Sequence, residues 1–273
     1  MILFPHVKIN LGLHITGLRP DGYHDLETIF YPVLGCGDVL EVNHAEQTEL
    51  ILTGIPIPGE PEKNLVMRAY RLLEERYQVG PARMHLHKII PTASGLGAGS
   101  SDATFTLRGL NQLFNLHLSV GMLADLAGEL GSDTPFFAYD EPLLGQGRGE
   151  VLSTVNVDLK GWYVMIVFLG IHISTAQAFK GVMPKAAPIP LTEIMKEPVY
   201  NWQHLLHNQF EDTVFEAEPG IAQVKELLYS QGAIYAAMSG SGSALYGLFE
   251  ANPGQTDMGW GKWERLKCWV GQL

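Results

Sequence analysis

The sequence predicts an α+β protein of two domains. Its 273 residues exceed one ordinary domain and fall short of three. Strand-like alternating runs occur near both ends of the chain. Between them, two successive helical runs over 103–114 and 120–130 have no strand separating them, which breaks the strand–helix alternation of a parallel sheet. A change in composition near residue 153 divides the chain into domains 1–153 and 154–273.

Each element follows in order. Residues 7–15 alternate as a strand does, and a Gly/Pro/Asp loop follows at 17–23. Further strands are predicted over 28–34 and 39–43. After the Pro/Gly-rich stretch 54–61, Asn64 stands as an N-cap before Leu65, Ala69, Leu72 and Leu73 at helical spacing, so a helix runs to about Tyr77. Residues 83–90 alternate again, with Met84, Leu86 and Ile90 on one face and Arg83, His85 and His87 on the other. Lys88 falls on the apolar face, an odd place for a lysine that points to a role beyond solubility. His85 and His87 have no third ligand near in sequence and read as an exposed face. The strand runs straight into a glycine-rich stretch, and the two helices follow it. In the second domain, GQGRGE over 145–150 is a turn, 162–169 a strand and 175–180 a helix. A Pro-rich link at 184–190 leads to helices around 200–217. Pro219 and Gly232 bracket a helix over 221–230, and 233–238, SGSG and 244–249 read as strand, turn, strand.

Composition narrows the function. Hydrophobic residues make up 46% of the chain and charged residues only 17%, which supplies a large core and excludes a disordered chain. The formal charge of -11 opposes a phosphate backbone, so no nucleic-acid partner is expected. An anionic small substrate stays compatible, because backbone amides at a helix N-terminus bind phosphate locally. The apolar run 162–169 is far short of the roughly 20 residues of a membrane span, so no membrane partner is expected either. Residues 1–15 lack the order of a secretion signal. Cys36 and Cys268, the 2 cysteines, have no disulfide-scaffold or CxxC pattern. A cytoplasmic location with reduced thiols is the expectation.

The sharpest chemical element is PTASGLGAGSSDA over 91–103. Its glycines remove the Cβ atoms that would keep a phosphate from the backbone amides, and the helix that follows adds about half a positive charge at its N-terminus. A phosphate-binding loop is therefore expected rather than a bare surface turn. Walker A is excluded, since no GK[ST] closes the segment. A dinucleotide-binding fold is disfavoured because a helix, not a strand, comes next.

Three blocks in this order, PHVKINLGL, PTASGLGAGSSDA and MSGSGSALYG, resemble the GHMP kinase superfamily. The longer blocks KINLGLHITGLRPDGYHDLETIF, NLVMRAY, GSDTPFF and GQGRGE resemble its branch that phosphorylates 4-diphosphocytidyl-2-C-methyl-D-erythritol. The resemblance spans almost the whole chain; the tail after Asn252 matches no block. It implies a two-domain GHMP kinase fold, with a ribosomal S5 domain 2-like N-terminal domain and a ferredoxin-like C-terminal domain. It also implies ATP as phosphoryl donor, Mg²⁺ carried by ATP, and phosphorylation of the acceptor's 2-hydroxyl in non-mevalonate isoprenoid precursor synthesis. A monomer or weak homodimer is expected.

The resemblance further assigns residues. Asp133 takes the proton of the acceptor hydroxyl and Lys8 offsets developing charge. Asn10 holds the methylerythritol hydroxyls, Tyr23 and Phe179 sandwich the cytosine ring, and His24 reads its edge. Asn64 and Lys88 carry over from adenine-side positions. Pro91, Gly95, Leu96, Gly97, Ala98, Gly99, Ser100, Ser101 and Asp102 form the nucleotide loop. No metal ligand set is assigned, although the hydroxyls of Ser100 and Ser101 are candidates to approach Mg²⁺. Each residue also has a plainer reading: Asn64 as a helix cap, Asp102 as an acid favoured in a first helical turn, Phe179 as core, His24 as a solvated histidine. The alternatives are another GHMP small-molecule kinase of the homoserine or mevalonate type, and a non-catalytic ligand sensor on the same fold.

Overall fold

The computed structural model describes residues 1–185, 187–254 and 266–273. The first strands are β1 (Ile2–Leu3), β2 (His6–Leu18), β3 (His24–Gly37), β4 (Val39–His44) and β5 (Glu49–Gly54). Helix α1 (Leu65–Tyr77), strand β6 (Ala82–Lys88), helices α2 (Ala98–Leu113) and α3 (Val120–Gly128) and a 3-10 turn at Thr134–Ala138 follow. After the hairpin β7 (Leu143–Gly147) and β8 (Val151–Thr154) come β9 (Tyr163–Phe168) and helices α4 (Thr175–Phe179), α5 (Leu191–Ile194), α6 (Val199–Leu205), α7 (Phe210–Ala217) and α8 (Pro219–Ser230). Strands β10 (Tyr235–Met238), β11 (Leu245–Phe249) and β12 (Lys267–Gln272) complete the chain. Contacts divide it into a first unit of Met1–Val7, Gly37–Thr92 and Gly97–Glu141, and a second of Lys8–Cys36, Ala93–Leu96 and Pro142–Leu273.

The first unit is built on the sheet β1-β4-β6-β5, in which β4 runs antiparallel to β6 and β5 parallel to it. Along β6 the period of two buries Ala82, Met84, Leu86 and Lys88 and turns Arg83 and His87 outward. The apolar positions pack with Val66, Tyr70 and Leu73 of α1 and Leu107 and Leu110 of α2. Asn64 caps α1 as its position predicts, its side chain accepting from the Val66 amide at 2.9 Å. Several elements differ from the sequence expectation: β2 runs on to Leu18 and β3 starts at His24 rather than at 28. Helix α2 starts at Ala98 rather than Ala103, because Gly97 takes the left-handed turn (φ 70°) and the glycine-poor propensity of the next residues is overridden by packing. Strand β5 was not anticipated; its LIL core lacks alternation, since it is a half-covered edge strand.

The second unit contains the sheets β2-β3-β7-β8 and β10-β11-β9-β12. Of GQGRGE, read as a turn, residues 145–147 end strand β7 and only Arg148, Gly149 and Glu150 make the turn to β8; the buried run of β9 pairs antiparallel with both β11 and β12. Met165, Val167, Met238 and Leu245 from that sheet form one core with Phe210 and Val214 of α7 and Ile221, Val224 and Leu228 of α8. Helix α8 begins at Pro219 and Gly232 follows its end at φ 92°, the asymmetry expected of proline and glycine. Strand β12 is a further element the sequence did not announce; residues 255–265 of the unmatched tail lie outside the described residues. The class is α+β as expected. Among the described residues no helix is long and apolar enough to cross a membrane.

Candidate active site

The glycine loop connects β6 to α2, and its two left-handed glycines are each demanded by a close approach. A Cβ on Gly95 (φ 79°) would lie 1.9 Å from the Ser239 carbonyl oxygen. One on Gly97 (φ 70°) would lie 2.8 Å from the Phe137 ring and 3.3 Å from Asp133 Oδ2. This packing is a reason for glycine distinct from phosphate access. Gly97 is the N-cap of α2 and no side chain caps it, so the first-turn amides of Ala98, Gly99 and Ser100 end the helix with their partial positive charge. Ser101 Oγ is buried without a hydrogen-bond partner among the described residues, whereas Ser100 is half-buried. An uncapped helix end, glycine backbone and an unpaired hydroxyl fit a phosphorylated ligand.

Ser100 points its hydroxyl at the proposed base. Its Oγ donates to Asp133 Oδ1 at 2.6 Å. Asp133 precedes the 3-10 turn that Pro135 starts, yet makes no capping bond to it, which leaves the carboxylate to Ser100 and the face of Gly97. All of these residues belong to the first unit.

In the second unit Lys8 is buried on β2, and its Nζ donates to Asn10 Oδ1 at 2.5 Å and to the Gly95 carbonyl at 2.6 Å. The Lys8 amide also donates to the Leu96 carbonyl at 3.0 Å. Asn10 is fixed in turn: its Nδ2 donates to Thr28 Oγ1 at 2.9 Å, and its own carbonyl accepts from the Tyr246 hydroxyl at 2.7 Å. Ser239 Oγ donates to the Gly95 carbonyl at 3.0 Å, so the SGSG turn holds the loop. Thr28, Tyr246 and Asn208 were not selected from sequence. Asn208 is fully buried and its Nδ2 donates to the Met238 and Gly240 carbonyls at 2.7 and 2.8 Å, beside the position where a Gly240 Cβ would meet Lys8 Nζ at 3.3 Å. Tyr246 lay within a quoted block and Thr28 within another; Asn208 lay in none.

The proposed base pocket is also in the second unit. His24 and Phe179 stack with centroids 4.7 Å apart at 22°, and Phe179 meets Phe210 edge-on at 4.8 Å. Tyr23 is exposed, with the Arg148 guanidinium 5.3 Å from its ring centroid. The sequence expectation sets Phe179 opposite Tyr23; here the face of Phe179 is against His24.

Lys88 and Asp102 are engaged with each other inside the first unit. Lys88 Nζ lies 2.6 Å from Asp102 Oδ2 and 2.6 Å from Asp38 Oδ2, and all three side chains are buried. Burial pushes Asp102 up to about 7, with Lys88 pulling it down and Asp38 pushing it further up. Lys88 is itself desolvated, but its two carboxylates outweigh that and hold its ammonium above the ordinary lysine range.

Comparison with known proteins identifies the family of the chain. The model of the GHMP kinases N terminal domain matches residues 64–141, and that of the GHMP kinases C terminal region matches 193–256. A 4-diphosphocytidyl-2-C-methyl-D-erythritol kinase of Bacteroides thetaiotaomicron is 44% identical over 100% of both chains. One from Azobacteroides pseudotrichonymphae is 47% identical, covering 92% of this chain and 94% of its own. Among solved structures, a 4-(cytidine 5'-diphospho)-2C-methyl-D-erythritol kinase superposes with TM-score 0.83 at 30% identity, over 99% of this chain and 98% of the other. A homoserine kinase of Cytophaga hutchinsonii, 18% identical with TM-score 0.64 over 98% and 94%, shares the fold. With that identity sustained end to end, the chain belongs to the GHMP kinases and, among them, to the family of the 4-diphosphocytidyl-2-C-methyl-D-erythritol kinases.

Proposed function

We propose that this chain transfers the γ-phosphoryl group of ATP to the 2-hydroxyl of 4-diphosphocytidyl-2-C-methyl-D-erythritol. The observation that carries this reading is the 44% identity over the full length of a kinase named for that substrate. ATP supplies the phosphoryl group, with Mg²⁺ accompanying it. Phosphoryl transfer of this kind depends on positioning and charge stabilisation more than on covalent chemistry.

The chain's own residues supply those functions. Residues 91–102 place the uncapped start of α2 and its amides toward the phosphates. Ser100, hydrogen-bonded to Asp133, fixes the rotamer of the carboxylate that takes the acceptor's proton. Lys8, held by Asn10 and Gly95, offsets the charge that develops. These two hydrogen bonds hold the ammonium in place, and preorganised groups stabilise developing charge most. Asn10 orients the acceptor hydroxyls, and Asn64 approaches the nucleotide from the start of α1. Tyr23, His24 and Phe179 bind the cytosine; for the ring to lie on Phe179, His24 leaves the stacked position and turns its polar edge to the base. The hydroxyls of Ser100 and Ser101 would be the groups to approach Mg²⁺, which would offset charge on the phosphates. Residues 1–153 and 154–273 are read as the N-terminal and C-terminal GHMP kinase domains, and the protein acts as a monomer or weak homodimer in the cytoplasm.

A coupled ADP-release assay with the cytidyl substrate, set beside homoserine and mevalonate, tests the reading. Turnover confined to the cytidyl substrate is expected. Equal or faster turnover of homoserine or mevalonate overturns the substrate, and no ADP release with any of them favours a ligand sensor.

A further inference from the structure

We propose that Asp38 is the positioning residue of a buried clasp that fixes both ends of the glycine loop and thereby sets the affinity for the phosphates of the nucleotide. Asp38 stands between β3 and β4 and is buried. Nothing in the motif blocks singles it out.

Its two oxygens do different work. Oδ1 accepts from the Ile89 amide at 2.5 Å and the Ile90 amide at 2.8 Å. Oδ2 accepts from Lys88 Nζ at 2.6 Å. Asp38 thus engages successive residues at the point where β6 ends and the loop begins. It replaces the sheet partner those amides would otherwise need, because β5 stops at Gly54. From Lys88 the connection continues to Asp102 Oδ2 at 2.6 Å, on the first turns of α2 where the loop ends. The other side of Lys88 is equally confined: a Cβ on Gly54 would lie 2.2 Å from its carbonyl oxygen, and the Ile55 amide donates to that oxygen at 2.8 Å.

Stability alone does not account for such a cluster. Burying a lysine with two carboxyl groups opposes folding, and well-packed apolar side chains at similar sites often serve stability as well or better. An apolar filler, however, offers no acceptor to two consecutive amides and no directional link from a strand end to a helix start. Those are what keep the ends of a phosphate loop at fixed separation, and small misplacements of binding groups weaken binding steeply.

The inference rests on the ATP-dependent reading, and wild-type turnover in the same assay tests that reading separately; only ratios of variant to wild type bear on the clasp. Three variants are measured: Asp38→Asn, Asp102→Asn, and the uncharged triple Asp38→Asn with Lys88→Met and Asp102→Asn. Steady-state kinetics with ATP and acceptor varied in turn are combined with thermal melting and calorimetric titration with a non-hydrolysable ATP analogue. Asp38→Asn is expected to raise KM for ATP about tenfold while KM for the acceptor and kcat at saturating ATP stay near wild type. Asp102→Asn, which leaves the Asp38–Lys88 pair intact, should give a smaller rise in KM for ATP. The triple variant buries no charge, so it should melt close to wild type and still bind the analogue weakly. Wild-type analogue affinity in the folded triple variant, or loss of kcat and of both affinities in parallel with melting temperature, overturns the proposal. Should the variants of Asp38 fail to fold, Asp102→Asn decides: an unchanged KM for ATP rejects the clasp.

Discussion

At Asp102 a single proton is linked to folding. One lysine faces two carboxylates, and Asp38 is the better satisfied of them, accepting two backbone amides while Asp102 Oδ1 is buried with no partner among the described residues. The proton therefore goes to Asp102, whose value burial raises from 3.8 to about 7. Unfolded, the group loses its proton near 3.8; folded, it keeps it to about 7. Between those values the native state binds more protons, so this contribution to stability is greatest at low pH, declines as pH rises through the window, and is flat above it. Asp140 acts in the opposite sense at lower pH: a hydrogen bond from His6, reinforced by Arg108, holds it well below the carboxylate range, so its contribution is present above 3.8 and lost as pH falls. Urea unfolding of wild type and Asp102→Asn at pH 5, 6 and 7 separates the two. We expect the wild type to lose on the order of a few kcal/mol relative to the variant across that range; parallel stability curves would show that Asp102 is ionised throughout. The inward face of Lys88 was legible from the period of β6. Asp38 was not, because periodicity reveals which side chain is buried but not which distant acid meets it.

At the scale of elements, the start of α1 carries two proposed roles that one substitution series can separate. Asn64 caps the helix, and a cap of this type contributes about 1 kcal/mol. It also stands at the adenine side by family resemblance. Asn64→Ala should lower stability by about that amount, while Asn64→Ser, which keeps a capping oxygen, should not. If Asn64 contacts the nucleotide, both variants raise KM for ATP; a rise in neither leaves it a cap alone. The cap was legible because its signal lies within one turn of sequence. Helix α2 was read too short for a related reason: glycines lower helix propensity, yet Gly99 sits inside the helix, and the left-handed glycines, Gly95 and Gly97, both precede it. Strands β5 and β12 escaped because an edge strand covered on part of one face has no clean alternation to read. For the proposed base residues the sequence supplied the names Tyr23, His24 and Phe179 but no arrangement. DGYH marked Tyr23 and His24, and nothing local could tell that His24 would lie on Phe179.

Across the whole molecule, the residues proposed for one chemical step, Lys8 and Asp133, come from blocks far apart in the sequence. Contiguous motifs named both, Lys8 within the strand block PHVKINLGL and Asp133 in the turn block GSDTPFF. Sequence separation hid the supporting bonds instead, such as those from Asn208 to the Met238 and Gly240 carbonyls. The surroundings allow each residue to be replaced without stranding its partners. In Lys8→Met the Gly95 carbonyl still accepts from Ser239 Oγ, and in Asp133→Asn the side-chain carbonyl can still accept from Ser100. Both variants should therefore fold, as circular dichroism can verify, and each should lower kcat by ~10² or more. The double variant is the sharper measurement. Groups that serve one proton and charge transfer are strongly non-additive, so removing both should cost little more than removing the more damaging one. Independent contributions would instead multiply, to ~10⁴ or beyond. A multiplicative loss in the folded double variant would mean that Lys8 and Asp133 act in separate steps, and the assignment of both to the acceptor hydroxyl would fall.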